Sequence, residues 1–215
     1  KAGAGAWSDT DANADRAFMI TNGKGVYNAE KLMLRLRLFN PVLDQSQEAY
    51  SGDSPVFGSW HYGQSFTANE TGYMPKVELY LWEYGTGSSH ELNVSLHTTD
   101  GSGYPTGVPL VSRTFLRGEL PSSADWFEVV FPDPPYLSSG TKYAVVLKCP
   151  DCPNSSNCIK WKYKFAATDS YSGGQMVKDT GSGWTDYDSG SEYYDQTFRT
   201  YYNDNDGRWI DEEND

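Results

Sequence analysis

Between Gly63 and Tyr202 the sequence is cut into short apolar and polar alternations separated by clusters of Gly, Pro, Asp and Ser, with no competing stretch of helical period. Alternation at period two presents one side of an extended chain to a core, and closely spaced turn residues stack such segments into antiparallel sheets. Val77–Trp82, Leu92–Leu96, Trp126–Phe131, Tyr143–Leu147 and Ile159–Phe165 each carry one apolar face. The expected fold is all-β, an antiparallel two-sheet β-sandwich of jelly-roll-like type with an extended N-terminal arm.

A chain of 215 residues suits one such core with extensions. The expected division is an arm at 1–58, the sandwich at 59–202 and an acidic tail at 203–215. The first residues of the arm, from Lys1 through the Asp-rich stretch after Trp7, are too small and polar to bury a core of their own. Leu32, Leu34, Leu36 and Leu38 then repeat at period two, which predicts a strand, because an amphipathic helix would not space its leucines in strict alternation. That strand either edges the same core or adds to a neighbouring subunit. The stretch from Asn40 to Trp60, rich in Pro, Ser, Gly and Asp, reads as a long loop.

The formal net charge is −12, with 29 acidic residues against 17 Lys and Arg. Binding to phosphate backbones needs a basic face, so nucleic acid is disfavoured as a partner. No apolar run has the length of a membrane span. The chain opens at Lys1, as a processed or truncated form would. Cys149, Cys152 and Cys158 fall in one loop between two predicted strands. A disulfide from Cys158 to Cys149 or to Cys152 would staple that hairpin and leave one thiol over. Zinc would need a fourth ligand, and none accompanies the three cysteines at zinc-like spacing.

From Gly63 onward a set of segments appears in order: Gly63-Gln64-Ser65-Phe66-Thr67, Lys76–Leu81, Leu92–His97, Gly103-Tyr104-Pro105-Thr106-Gly107-Val108-Pro109-Leu110, Leu137–Leu147 and Asp195–Tyr201. In order and spacing this series resembles the choice-of-anchor R domain, a β-sandwich module of bacterial and archaeal surface proteins and of virus-associated proteins. The resemblance covers roughly two thirds of the chain. It implies a sandwich displayed on a cell surface or virion, and it brings no catalytic residue set. The arm, the three-cysteine loop and the tail lie outside the pattern.

Two other groups of residues suggest binding. In the tail, Asp204, Asp206 and Glu213 flank Gly207 in a spacing like that of an EF-hand loop, where alternate oxygen ligands converge on calcium. A solvated acidic terminus is the plainer reading of the same residues. In the C-terminal third, Tyr171, Trp184 and Tyr187 with Asp186 form a candidate glycan site, because flat rings stack on sugar faces while a carboxylate takes the hydroxyls. Trp161 and Tyr163 alternate with Lys160, Lys162 and Lys164 and are expected to point inward.

Enzymatic patterns are weak. Glu78 and Glu83 have opposite parity, Glu91 and Glu128 stand apart in sequence, and His61, His90 and His97 have no flanking triad or zinc-protease motif. The sequence therefore leads to a non-catalytic structural or adhesive subunit that assembles through its arm with other copies or with neighbouring surface or virion proteins. A carbohydrate-binding module is the alternative. Neither requires a cofactor, and calcium is the one metal the sequence suggests.

Overall fold

A computed structural model describes residues 41–85, 90–188 and 191–203. These residues form two antiparallel sheets built from β1 (Val42–Gln47), β2 (Gly52–Val56), β3 (His61–Thr67), β4 (Gly72–Tyr84), β5 (Glu91–Thr98), β6 (Val111–Leu116), β7 (Asp125–Val130), β8 (Tyr136–Leu137), β9 (Lys142–Lys148), β10 (Cys158–Ala166), β11 (Met176–Asp179), β12 (Trp184–Asp186), β13 (Tyr193–Gln196) and β14 (Phe198–Asn203). The smaller sheet runs β12-β11-β3-β9-β5-β6. The larger runs β1-β14-β4-β10-β13, with β2 on β10 and with β7 and β8 on β4. The all-β two-sheet sandwich expected from the alternation is the fold; each of the five alternating segments falls on a strand, with only Phe131 of Trp126–Phe131 beyond the end of β7.

Between Val77 and Leu81 the odd-numbered positions of β4 face inward: Val77, Leu79 and Leu81 are fully buried. They join Ile159 and Trp161 of β10, Phe198 of β14, Phe66 of β3, Leu92, Val94 and Leu96 of β5, and Val145 and Leu147 of β9 in one core cluster. Each such side chain contributes roughly 1.5–3 kcal/mol relative to exposure, so this cluster outweighs any single polar contact in the molecule.

The sandwich begins earlier in the chain than the expected boundary at residue 59. β1 pairs with β14 and β2 pairs with β10, so the stretch read as loop supplies two strands. Both escape the period-two test for physical reasons. β2 is Gly52-Asp53-Ser54-Pro55-Val56, whose composition signals a turn; it pairs only with β10, so the amide that Pro55 lacks is not needed by a second neighbour. Gly52 is required there, because a Cβ would lie 2.5 Å from the Tyr163 ring. In β1 the register slips between Leu43 and Gln45, a bulge that breaks the alternation. The carboxylate of Asp44, the extra residue, accepts the backbone N–H of Asn69 and of Glu70 at 3.1 and 3.2 Å. The predicted Leu32–Leu38 strand and the tail ligands Asp204, Asp206 and Glu213 lie outside the described residues.

β13 and β14 are one chain run that changes partners at Thr197, leaving β10 for β4. Every polar group of Thr197 is engaged. Its carbonyl accepts the indole N–H of Trp161 at 3.0 Å and the backbone N–H of Tyr80 at 3.2 Å; its own N–H donates to Lys162 O at 2.8 Å and its hydroxyl to Ala49 O at 3.0 Å. Trp161→Phe keeps most of the ring and removes the indole donor. It is expected to lower unfolding free energy by about 1–3 kcal/mol, read as a lower urea midpoint at unchanged slope.

Candidate functional site

From Lys76 to Trp82 β4 alternates, so Lys76, Glu78, Tyr80 and Trp82 reach the outer face of the large sheet, and the registers of its neighbours decide what meets them there. Tyr80 lies across from Trp126 and Glu78 from Glu128 on β7; Arg199 lies across from Glu78 and Tyr201 from Lys76 on β14; Trp82 lies across from Lys160 on β10. Tyr50, from the β1–β2 connection, stacks on Tyr80 with centroids 5.2 Å apart, and Trp126 packs on the same ring at 5.3 Å. The outcome is a continuous outer face of Tyr, Trp and Arg.

The charges on this face are arranged around the rings. Arg199 makes a two-pronged contact with the Glu48 carboxylate at 2.9 and 2.8 Å, reaches Glu78 at 3.1 Å, and lies 3.9 Å over the Trp126 ring. The Lys76 ammonium sits between Glu78 and Glu128 at 3.0 and 2.7 Å and over the Tyr201 ring at 4.2 Å. Lys162 lies over Trp82 and Tyr50, Lys160 lies over Tyr84, and Asp53 pairs with both lysines. Burial alone would push the Glu78 carboxyl up; hydrogen bonds from Lys76, Tyr201 and Arg199 override it and hold the group below its ordinary value. Sequence reasoning missed this site, although its signal is present: the polar side of the Val77–Trp82 alternation contains Tyr80 and Trp82, rings that solvent alone does not call for.

Of the glycan candidates, Trp184, Asp186 and Tyr187 lie on or beside β12, whereas Tyr171 is turned into the core. Tyr171 is buried, with its hydroxyl donating to Gln45 Oε1 at 2.9 Å and its ring edge-on to Phe198. The expectation of an exposed Tyr171 is thus corrected by its place against the core. Tyr187 is half-buried in a cluster with Tyr62, Tyr163 and Tyr194, under the Lys178 ammonium at 4.6 Å. Trp184 and Asp186 stand on β12 at the sheet edge, where Asp186 accepts a short hydrogen bond from Gln175. Trp161 points inward as expected, and Tyr163 packs against the core.

Of the three candidate cysteines, the disulfide joins Cys149 to Cys152 and not to Cys158, which is the thiol left over. A tight turn accounts for it: Cys152 N–H donates to Cys149 O at 3.2 Å, and the Cα atoms lie 5.3 Å apart, inside disulfide range. Cys158 is held away at the start of β10, with its Sγ 3.3 Å from Ser155 O, and burial pushes its thiol up to about 11.

Two contacts resemble catalytic pairs and lack what catalysis needs. Ser95 Oγ lies 3.0 Å from His97 Nε2, and His97 Nδ1 lies 3.3 Å from Thr106 O, so a carbonyl occupies the orienting position. Both side chains are buried, and burial holds the imidazole below its ordinary value. Glu128 does have a neighbouring carboxylate, Glu78, directly across in register. Lys76 bridges the two on an open sheet face and Glu78 is shifted down, whereas a glycosidase acid must be shifted up.

No protein-family model matches the chain, and no curated protein matches it in sequence.

One carboxyl inside the sandwich is strongly perturbed. Asp195 is 1% exposed and accepts hydrogen bonds from Gln64 Nε2 and Ser170 Oγ, both at 3.2 Å. Burial, with the nearby Asp169 and Asp188, pushes it up to about 7, and the two donors offset only part of that shift. A folded-state value above the unfolded 3.8 means that the native chain keeps this proton longer. The associated stability is present below the unfolded value and lost as pH rises through about 7. Wild-type stability should therefore fall by about 4 kcal/mol at most between the unfolded value of 3.8 and about 7, and Asp195→Asn should flatten that fall. Chemical unfolding across the pH series reads both.

Proposed function

We propose that this chain is a non-catalytic structural or adhesive subunit that works by contact between protein surfaces, with the outer face of the large sheet as its contact surface and further copies of itself as partners. The observation that carries the reading is the composition of that face. Tyr, Trp and Arg are the residues that dominate protein–protein hot spots, because they bury large area at small entropic cost. Here Tyr50, Tyr80, Trp82, Trp126, Tyr201 and Arg199 lie on the outer face of one sheet. Sugar stacking needs bare ring faces, and Lys76, Lys160, Lys162 and Arg199 already cover rings there. That favours protein over glycan as the ligand.

Charge points the same way. The whole chain carries −12, so two copies repel over most of their surface. On the outer face Lys76, Lys160, Lys162 and Arg199 are matched by Glu48, Asp53, Glu78 and Glu128. This neutral patch is where a second copy approaches at least cost. Display on a cell surface, filament or virion belongs to the same reading and is supported by the motif order described above; a role for the arm in assembly is supported by the alternating leucines from Leu32 to Leu38.

Light scattering of the full chain over a range of concentrations tests it. The mass should rise above 24.0 kDa, and Tyr80→Ala with Trp126→Ala should weaken association by at least about tenfold. A chain that stays monomeric and instead binds a soluble polysaccharide would overturn the reading in favour of a carbohydrate-binding module.

A further inference from the structure

β5 and β9 are hydrogen-bonded neighbours, with Asn93 across from Lys148. The residue preceding β5, His90, and the turn following β9 therefore meet at one end of the small sheet. A ring nitrogen of His90 and the Sγ atoms of Cys149 and Cys152 all lie within 4.8 Å of one another, and all three residues are buried. His90 also lines a cleft of about 510 Å3, together with Asp151 from the same turn. Two sulfurs and one imidazole around a single point, with a cleft beside them, are the donor set of a zinc centre with three protein ligands and one open position.

We infer that Cys149, Cys152 and His90 form a redox-gated zinc site, closed while the disulfide is intact and opened by reduction. A small-molecule or protein dithiol supplies the reductant. It delivers two electrons and two protons to the Cys149–Cys152 bond, its own sulfurs become a disulfide, and two thiols are released in this chain. Zinc then displaces both thiol protons, takes the two thiolates and the neutral imidazole as ligands, and completes its shell with water from the cleft. The tight turn that brings Cys152 N–H to Cys149 O keeps the sulfurs close after the bond is cut. The signal is divided in the sequence, because the histidine stands far upstream of the cysteines.

The test uses the full chain, reduced with dithiothreitol, freed of reductant under anaerobic conditions, and titrated with zinc by calorimetry and with cobalt by absorption. Reduced wild type should bind one equivalent of zinc and give thiolate-to-cobalt charge-transfer bands, while the disulfide form binds none. Cys149→Ser and, separately, His90→Gln should weaken zinc by at least about tenfold; Cys158→Ser should bind as wild type. Circular dichroism shows that each variant is folded. Reduced wild type without stoichiometric zinc, or a folded His90→Gln variant that binds as tightly as wild type, would overturn the site. Loss of binding in a folded Cys158→Ser variant would do so as well.

Discussion

Thr197 sits where the run from Tyr193 to Asn203 leaves one neighbour for another; its backbone ties β10 to β4, and its hydroxyl adds the β1–β2 connection. A strand that changes partners exposes backbone groups that no ladder satisfies, and inside a sandwich each orphan would cost a few kcal/mol. Trp161 resolves much of this. Its ring fills the core and its indole nitrogen reaches the Thr197 carbonyl, so one fully buried side chain supplies both packing and a donor. With the junction satisfied, β4 runs on through thirteen residues and carries neighbours along both edges. The inward row of β4 helps build the core and its outward row the aromatic and charged outer face, so both depend on β4 staying in register.

The aromatic and charged outer face is a consequence of that register. Glu78 is only 15% exposed, and three donors converge on it from two strands. Isolated surface pairs contribute little, but here each cation also lies over an aromatic ring, so the charges fix ring positions as well as one another. On the proposed reading, side chains held in place this way would lower the entropic cost of binding a partner.

Much of the fold was legible in the sequence because period two survives wherever a strand has one buried side. It failed where another constraint overrode alternation: the bulge at Asp44 in β1, and the Gly and Pro of β2, whose composition signals a turn while its edge position tolerates it. The inward Trp161 was legible from the lysines on either side. The glycan candidates misled because burial of Tyr171 is set by Gln45 and Phe198, contacts made over long sequence separations. The cysteine pairing was decided by one backbone hydrogen bond in a four-residue turn, and the contact face by cross-strand registers. Spacing along a single chain encodes neither.

Hydrogen exchange followed by NMR tests the central claim that the strand switch at Thr197 holds the large sheet. The amides of Tyr80 and Thr197, which bond across the junction, should be among the slowest in the chain and open only with global unfolding. Exchange of either amide through a smaller local opening, faster than the amides between β3 and β9 of the small sheet, would contradict it.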